Sequence, residues 1–374
     1  MLDRREFLSA SLAAAVALKA DAAPPEAKGE WRNRQSGVAY RQLGRTGFMV
    51  SEIVMGGNTI SPTNHEHVLA AMDRGLNYLD TAPAYGNLAS EKGYAKVLKA
   101  RKREQFFLNS KVSVWDGNRN KLFQDIFESL DASSQKRIQT KALDEIARRQ
   151  ADAPDYFINY FPGQRPELDQ AYIANVMETE YGRKIDRNKN YKRIIWDSVD
   201  ATLARLGTDH LDILMCPHGA STSVELLAYP EIFEAFEVLK KTGKVRHLGV
   251  SAHTDPAGIL AAAVKAKIYS VAMVAYNIVN HPYVDKALAA AHKKGLGVIA
   301  MKVARPVFSG RPNGPDTPAR VAKIDAAVPG DLKRPLKAYS WALRSPHLSA
   351  VISEMVNRSM VDENLPLAAP KRKT

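Results

Sequence analysis

Eight short apolar runs, at 53–55, 76–79, 105–111, 211–215, 245–250, 271–275, 297–301 and 349–352, alternate with stretches that have helical character. Those stretches, 66–74, 90–103, 191–206, 230–242, 256–266, 283–294, a longer region 317–344 and 360–365, give the spacing of repeated βαβ units. Eight strands and eight helices in alternation predict an α/β fold, a closed (β/α)8 TIM barrel. Ahead of it, residues 40–43, the turn Gly44-Arg45-Thr46-Gly47 and residues 48–50 read as an N-terminal hairpin. The barrel and hairpin together are assigned to 39–366.

One interval breaks the rhythm. About eighty residues separate the third strand from the helix expected at 191. Within 117–190, residues 120–150 are charged and helix-prone, whereas 155–166 are aromatic and rich in turn formers. In a barrel such an insertion after a strand lies on the ligand-binding face, and it reads as a lid. Its aromatics Tyr156, Phe157, Tyr160 and Phe161 suit either a sugar-stacking surface or a small core of the insertion's own.

Residues 1–22 have a charged start, an apolar stretch over about 7–18, and small residues at Ala20 and Ala22, the pattern of an export signal. Arg4-Arg5 followed by Glu6-Phe7-Leu8 resembles a twin-arginine signal, which implies the twin-arginine export machinery as a partner and a periplasmic destination. Residues 23–38 read as a linker and 367–374 as a basic tail. No later segment reaches the ~20 apolar residues of a membrane span, so no stable membrane anchor is expected in the mature form.

The formal charge of +13 falls wholly beyond residue 22, because Arg4, Arg5 and Lys19 are balanced by Asp3, Glu6 and Asp21. The excess is scattered in clusters such as 99–103, 240–244 and 371–373, without the aromatic interleaving of nucleic-acid binders. A solvated basic surface accounts for it, as does attraction of anionic substrates or membrane surfaces; no nucleic-acid partner is expected. Cys216 is the single cysteine, which excludes an intrachain disulfide and an iron–sulfur cluster held by several cysteines of this chain. No metal site is expected, and no G-x-G-x-x-G follows a strand.

Chemistry-capable residues gather at the carboxyl ends of the expected strands. Gly56-Gly57 follow the first, Asp80 and Tyr85 the second, Lys111 ends the third, and His218 follows the fourth. Ser251 and His253 follow the fifth, Asn277 the sixth, and Met301-Lys302 the seventh. Singly each has a structural explanation: a helix cap for Asp80, a strand end for Lys111, a loop histidine for His218. Together they define one mouth.

Asp80-Thr-Ala-Pro-Ala-Tyr85-Gly86, Lys111 in Leu-Asn-Ser-Lys-Val and His218 in Asp212-Ile-Leu-Met-Cys-Pro-His resemble the catalytic tetrad of the aldo/keto reductase family. The resemblance covers about 39–116 and 190–366. It implies a nicotinamide cofactor, NAD(P)(H), extended across the mouth, and a small-molecule carbonyl or alcohol substrate, with sugars among the candidates. Leu248-Gly-Val-Ser-Ala-His253 keeps the serine but has Ala252 where many members use Asn, and Met273 stands where Gln is frequent. Carboxamide recognition is therefore expected to differ. His253 and Met301-Lys302 resemble a branch with Gly-x-Ser-x-His and Ala-Met-Lys motifs. After the eighth strand, Glu354, Arg358, Met360 and Asn364 fall where members bind adenosine phosphate; Glu354 and neutral Met360 favour NAD over NADP, with Arg358 the opposing cation. The candidate cofactor-binding residues are thus Gly56, Gly57, Ser251, His253, Asn277, Met301, Lys302, Glu354, Arg358 and Asn364.

The chemistry is coherent in itself. Hydride arriving at a carbonyl carbon leaves charge on oxygen, and a nearby acid must deliver a proton. Tyr85 is that acid, Lys111 is expected to bring its pKa toward neutrality, Asp80 to hold Lys111, and His218 to hydrogen-bond the oxygen. Two alternatives are a non-catalytic nicotinamide-binding sensor or interaction subunit on the same fold, and a hydrolase with Asp80, His218 and His253 around a metal.

Overall fold

The computed structural model describes residues 29–370. The expected export segment 1–22, residues 23–28 of the linker and 371–374 of the tail lie outside the described residues. Three short strands come first: β1 (Glu30–Trp31), β2 (Tyr40–Gln42) and β3 (Phe48–Ser51). Eight parallel strands then close a barrel in the order β10-β11-β4-β5-β6-β7-β8-β9. They are β4 (Ile53–Met55), β5 (Tyr78–Asp80), β6 (Phe107–Lys111), β7 (Leu211–Met215), β8 (Val245–Ala252), β9 (Val271–Ala275), β10 (Gly297–Met301) and β11 (Ala350–Ser353). Closure is made by β11 on β4, with Val351 opposite Ile53. Four of the eight, β4, β7, β9 and β10, have the bounds expected from sequence; β6 and β8 differ by two residues at one end, and β5 and β11 by one to two residues at both ends.

The crossover helices are α1 (Glu66–Met72), α2 (Ala89–Ala100), α6 (Ile194–Leu206), α8 (Pro230–Lys241), α9 (Pro256–Ala266), α10 (His281–Lys293), α11 (Pro318–Ala327), α12 (Arg334–Ala342) and α13 (Arg358–Asn364), with the short α7 (Val224–Leu227) before α8. Local chemistry sets their starts. Proline occupies the first turn of α8 to α12, where a missing N–H costs nothing, and Asp255, Thr317 and Asn357 side chains cap α9, α11 and α13. The expected single helical region at 317–344 divides because Gly330, at φ +100°, turns the chain between α11 and α12.

The hairpin β2–β3 is present, but it belongs to a three-stranded sheet with β1 in which β3 is central. Leu43, Phe48 and Val50 join Tyr78, Phe107, Ile213 and Ile299 inside the barrel, closing its amino-terminal end. Phe48 stacks on Phe107 at 4.3 Å. Residues 30–38, read from sequence as linker, are part of this plug. Arg32 donates to the Phe106 carbonyl at 2.6 Å and pairs with Asp212, and Asn33 donates to the Met72 carbonyl at 2.5 Å. These polar attachments carry no hydrophobic period, so the sequence pattern does not show them. At the other end, Ala39 N–H reaches the Ala368 carbonyl at 2.6 Å, so the packed body runs past residue 366.

The insertion is three helices, α3 (Trp115–Glu128), α4 (Ala132–Arg149) and α5 (Gln164–Tyr181), with a π-helical turn, Asn188–Arg193, leading into α6. Phe123, Phe127, Ile138, Ala174 and Met177 form one small core of this unit. Hydrogen bonds tie it to the barrel. Arg119, fully buried on α3, donates to Tyr229 Oη at 2.6 Å and Asn175 Oδ1 at 2.5 Å. The strap between α4 and α5 is pinned by Tyr156 Oη on Asp255 Oδ1 at 2.5 Å and by Asn277 Nδ2 on Tyr160 Oη at 2.9 Å. Of the four aromatics, Tyr156 and Tyr160 enter the main core and Phe157 packs on the insertion's core.

Buried Asp212 on β7 gathers Arg103 at 2.6 Å, Arg246 at 2.8 Å and Arg32 at 3.2 Å, and accepts the Leu108 N–H at 2.9 Å. Burial alone would raise its pKa, but Arg103 and Arg32 outweigh that and hold it below the ordinary carboxylate value. A depressed folded pKa contributes stability that is present above the unfolded value and lost as pH falls through the folded one. Asp212→Asn is expected to destabilise the fold by about 3 kcal/mol at neutral pH, and to weaken the acid dependence of the urea midpoint; an unchanged midpoint at pH 7 would refute the role of this cluster.

Candidate active site

At the carboxyl ends of the strands lies a cavity of about 1680 Å³. That exceeds the ~300–1,000 Å³ usual for one drug-sized ligand, and suits a dinucleotide together with a substrate. Gly56, Gly57, Asp80, Tyr85, His218, His253, Met301, Lys302, Glu354 and Asn364 line it. Ser251 and Asn277 are buried behind the wall, and Lys111 lies beneath it. Asn277 instead organises a turn, its Oδ1 accepting from Val279 and Asn280, while Arg358 turns outward to Asp362 at 3.2 Å. The structure therefore leaves Ser251, Asn277 and Arg358 out of the cavity wall.

Asp80 ends β5 with its carboxylate inside the barrel, where Asn109 Nδ2 donates to it at 2.5 Å and Lys111 Nζ makes a short ion pair with it. Lys111 also donates to the Thr81 carbonyl at 3.0 Å. Burial works against both charges, lifting the Asp80 pKa and lowering that of Lys111. After Asp80 the chain turns sharply: Gly86, Asn87 and Leu88 have φ of +55°, +50° and +72°. A leucine in the left-handed region is strained by roughly 1 kcal/mol or more. This turn sets Tyr85 over Lys111, whose Nζ is 4.6 Å from the ring centroid, and 5.9 Å from the His218 ring. Gly57 is needed for the same assembly, because a Cβ there would lie 2.0 Å from the Asp80 carbonyl oxygen.

The electrostatics differ from the expectation for Tyr85. Burial first, then the Asp80 and Glu354 carboxylates, push its pKa well above the ordinary value. The charge of Lys111 is taken up by Asp80, so Tyr85 keeps its proton in the free protein. His218 is held neutral, its pKa brought down to about 3 by burial and by Lys111. His253 is likewise lowered, by burial, Lys302, His218 and Lys111. Among the described residues no three His, Cys, Asp or Glu side chains stand together at metal-holding distance, and Asp80 is already taken by Lys111 and Asn109; the hydrolase alternative lacks its ligand set.

Charge is spread unevenly over the cavity, with Glu354 and Glu363 among the cations on one side and Lys121 among the carboxylates on the other. Lys302, Arg305, Arg311, Lys333 and Arg334 line the part above β10 and β11. Lys302, at φ +57°, has no hydrogen-bond or ion-pair partner among the described residues. Burial lowers its pKa, the Glu354 carboxylate partly offsets that, and Arg305 and Arg311 lower it further; Arg305 is lowered by burial and by Arg311, with Asp316 opposing. Mutually repelling cations with an unpartnered amine fit a diphosphate, whose binding relieves the repulsion. The opposite wall belongs to the insertion: Asn120, Gln124, Asp125 and Glu128 of α3, Gln170 of α5, and Phe161, which meets the His253 ring at 5.2 Å. Sequence reasoning missed Arg305, Arg311, Ser113 and Asp116, none of which stands in a recognisable motif.

The Aldo/keto reductase family model matches residues 52–161 and 165–371, and the chain belongs to that family. It is similar to Aldo-keto reductase YhdN of Bacillus subtilis (strain 168), 30% identical over 154 residues, covering 38% of this chain and 44% of the relative. Aldo-keto reductase AMT2 of Alternaria alternata is 27% identical over 229 residues, covering 58% of this chain and 50% of that one. The chain thus spans about half the length of the curated relatives it matches. Among solved structures, aldo-keto reductase AKR11C1 from Bacillus halodurans in its holo form superposes with TM-score 0.59 at 20% identity, covering 90% of this chain and 93% of that one, a likeness of fold.

Asp116 at the start of α3 accepts the backbone N–H groups of His218 and Gly219, both at 3.0 Å, while its Oδ1 is buried without a partner. Burial and the Glu225 carboxylate push its pKa up to about 7. The folded state therefore keeps a proton that the unfolded chain loses near its ordinary 3.8, and stability falls as pH rises between about 4 and 7. Asp116→Asn, which retains the accepting oxygen, is expected to flatten this part of the stability profile; an unchanged slope would show that Asp116 does not titrate there.

Proposed function

We propose that this protein is an NAD(P)-dependent oxidoreductase interconverting a carbonyl compound, whether aldehyde, ketone or keto-sugar, and its alcohol, with Tyr85 as the proton-transfer group. The observation that carries this reading is the placement of a protonated Tyr85 between Lys111 and His218, in a cavity whose wall also carries Lys302, Arg305 and Arg311. Lys302, Arg305 and Arg311 would hold the phosphates of a nicotinamide dinucleotide, which would supply the hydride to the carbonyl carbon. Tyr85 gives its proton to the oxygen as charge develops there. Neutral His218 donates a hydrogen bond to the same oxygen. Lys111 faces the ring that then carries negative charge, and Asp80 keeps the ammonium in place. In the oxidative direction Tyr85 takes the proton back from the alcohol.

NAD is favoured over NADP. Glu354, which accepts from Thr59 N–H at 2.9 Å and Thr59 Oγ1 at 3.1 Å, keeps an acidic group on this wall. Arg358 is engaged by Asp362, and Lys333 by Glu363 at 2.8 Å. A hydroxyl-rich substrate such as a sugar suits the insertion side, where amides accept from and donate to hydroxyls, carboxylates accept from them, and Phe161 offers an apolar face. Export through the twin-arginine machinery to the periplasm is part of the same proposal, resting on Arg4-Arg5 and the following apolar stretch. Replacing both arginines with lysine and fractionating cells tests it: retention in the cytoplasm supports the route, and unchanged export refutes it.

With 4-nitrobenzaldehyde and NADH as probes, Tyr85→Phe is expected to lower turnover by about 10²–10⁴-fold while NADH binding stays within about twofold, because the hydroxyl acts on the carbonyl oxygen and not on the dinucleotide. Turnover retained in that variant would remove Tyr85 from the chemistry. Glu354→Lys is expected to tighten NADPH binding in a fluorescence titration; unchanged or weaker binding would refute the assigned role of Glu354.

A further inference from the structure

We infer that Ser113 is a positioning residue that fixes the tautomer and ring orientation of His218 and couples the His218 loop to the Tyr85 loop. The inference rests on His218 acting as a hydrogen-bond donor to the carbonyl oxygen. A neutral imidazole has one N–H, and it can donate from only one ring nitrogen. Ser113 Oγ lies 3.0 Å from His218 Nδ1. The same Oγ accepts the backbone N–H of Ala84, the residue before Tyr85, at 3.3 Å. The Ala84 contact orients the hydroxyl and leaves its hydrogen free to turn to Nδ1; when Nε2 carries the ring proton and donates to the carbonyl oxygen, Nδ1 is the acceptor of the Ser113 O–H.

The loop backbone is held from the same segment. Asp116 Oδ2 accepts from both His218 N–H and Gly219 N–H at 3.0 Å. Ser113 lies between β6 and α3 and Asp116 in the first turn of α3, so the segment that leads into the insertion sets the donor of the site. The nearby Lys111 ammonium disfavours a second ring proton, which keeps the imidazole in the single-proton state that Ser113 selects. Both catalytic loops are thereby referred to one hydroxyl group. Nothing in the tetrad motif marks Ser113, which lies two residues beyond Lys111 and outside it.

Nitrogen-15 NMR of the full chain labelled at histidine tests this, with the His218 signals identified by their loss in His218→Gln. The wild type is expected to show an unprotonated, hydrogen-bonded Nδ1 and a protonated Nε2. Ser113→Ala is expected to populate both tautomers and to lower kcat for 4-nitrobenzaldehyde on the order of tenfold with little change in KM, and Ser113→Thr, which keeps the hydroxyl, to restore both. Ser113→Asp places an acceptor-only carboxylate against Nδ1 and is expected to draw the proton there. A wild-type proton on Nδ1, or a Ser113→Ala spectrum identical to wild type, overturns the inference. The spectra decide it even if the protein reduces no aldehyde, so its failure and that of the carbonyl-reductase reading are separable.

Discussion

A lysine ammonium with no access to water at the end of a barrel strand requires a counter-charge within hydrogen-bond reach, and Asp80 supplies it to Lys111. Much of the mouth is arranged around that pair. Asn109 on the same strand as Lys111 satisfies the same carboxylate oxygen, the Thr81 carbonyl takes another Lys111 proton, and the left-handed turn at 86–88 folds Tyr85 over the result. Because strands β5 and β6 are neighbours in register, with Asp80 opposite Asn109, the pair is fixed by sheet geometry and not by a loop. The strain at Leu88 is sustained by this packing.

The pair also determines what each neighbour can do. A lysine satisfied by Asp80 does not depress the Tyr85 pKa in the free protein, and it still disfavours protonation of His218. One group is left as an acid and the other as a neutral donor, a separation of roles set by environment. The insertion contributes at two scales. Its helices α3 and α5 form a polar wall opposite Lys302, Arg305 and Arg311, and the His218 loop is reached by Ser113, just before α3, and by Asp116 in its first turn. Buried Arg119, further along α3, donates to Tyr229 and to Asn175 of α5.

The barrel was legible in the sequence because parallel strands buried on both faces read as unbroken apolar runs, and four of them, β4, β7, β9 and β10, coincide with the bounds read from that pattern. The gathering of Asp80, Tyr85, His218, His253 and Lys302 around one cavity was legible for a related reason: in this fold the ends of strands converge. What was not legible depends on side-chain direction. Asn277 and Arg358 fall at the right ends of the right strands, yet one turns into its own loop and the other to Asp362. Residues 30–38 and Ser113 act through single polar contacts with distant chain segments, which leave no periodic trace. The direction of the Tyr85 pKa needed the burial and the neighbouring carboxylates, neither of which a motif records.

The account stands on a nicotinamide dinucleotide lying along Lys302, Arg305 and Arg311 in front of Tyr85. Calorimetric titration of the purified chain with NADH, and separately with NADPH, tests this most directly. Saturable one-to-one binding with the tighter affinity for NADH, weakened when Lys302 is replaced by Met, is the result expected. Absence of saturable binding for both dinucleotides would leave the barrel intact and contradict the reductase reading.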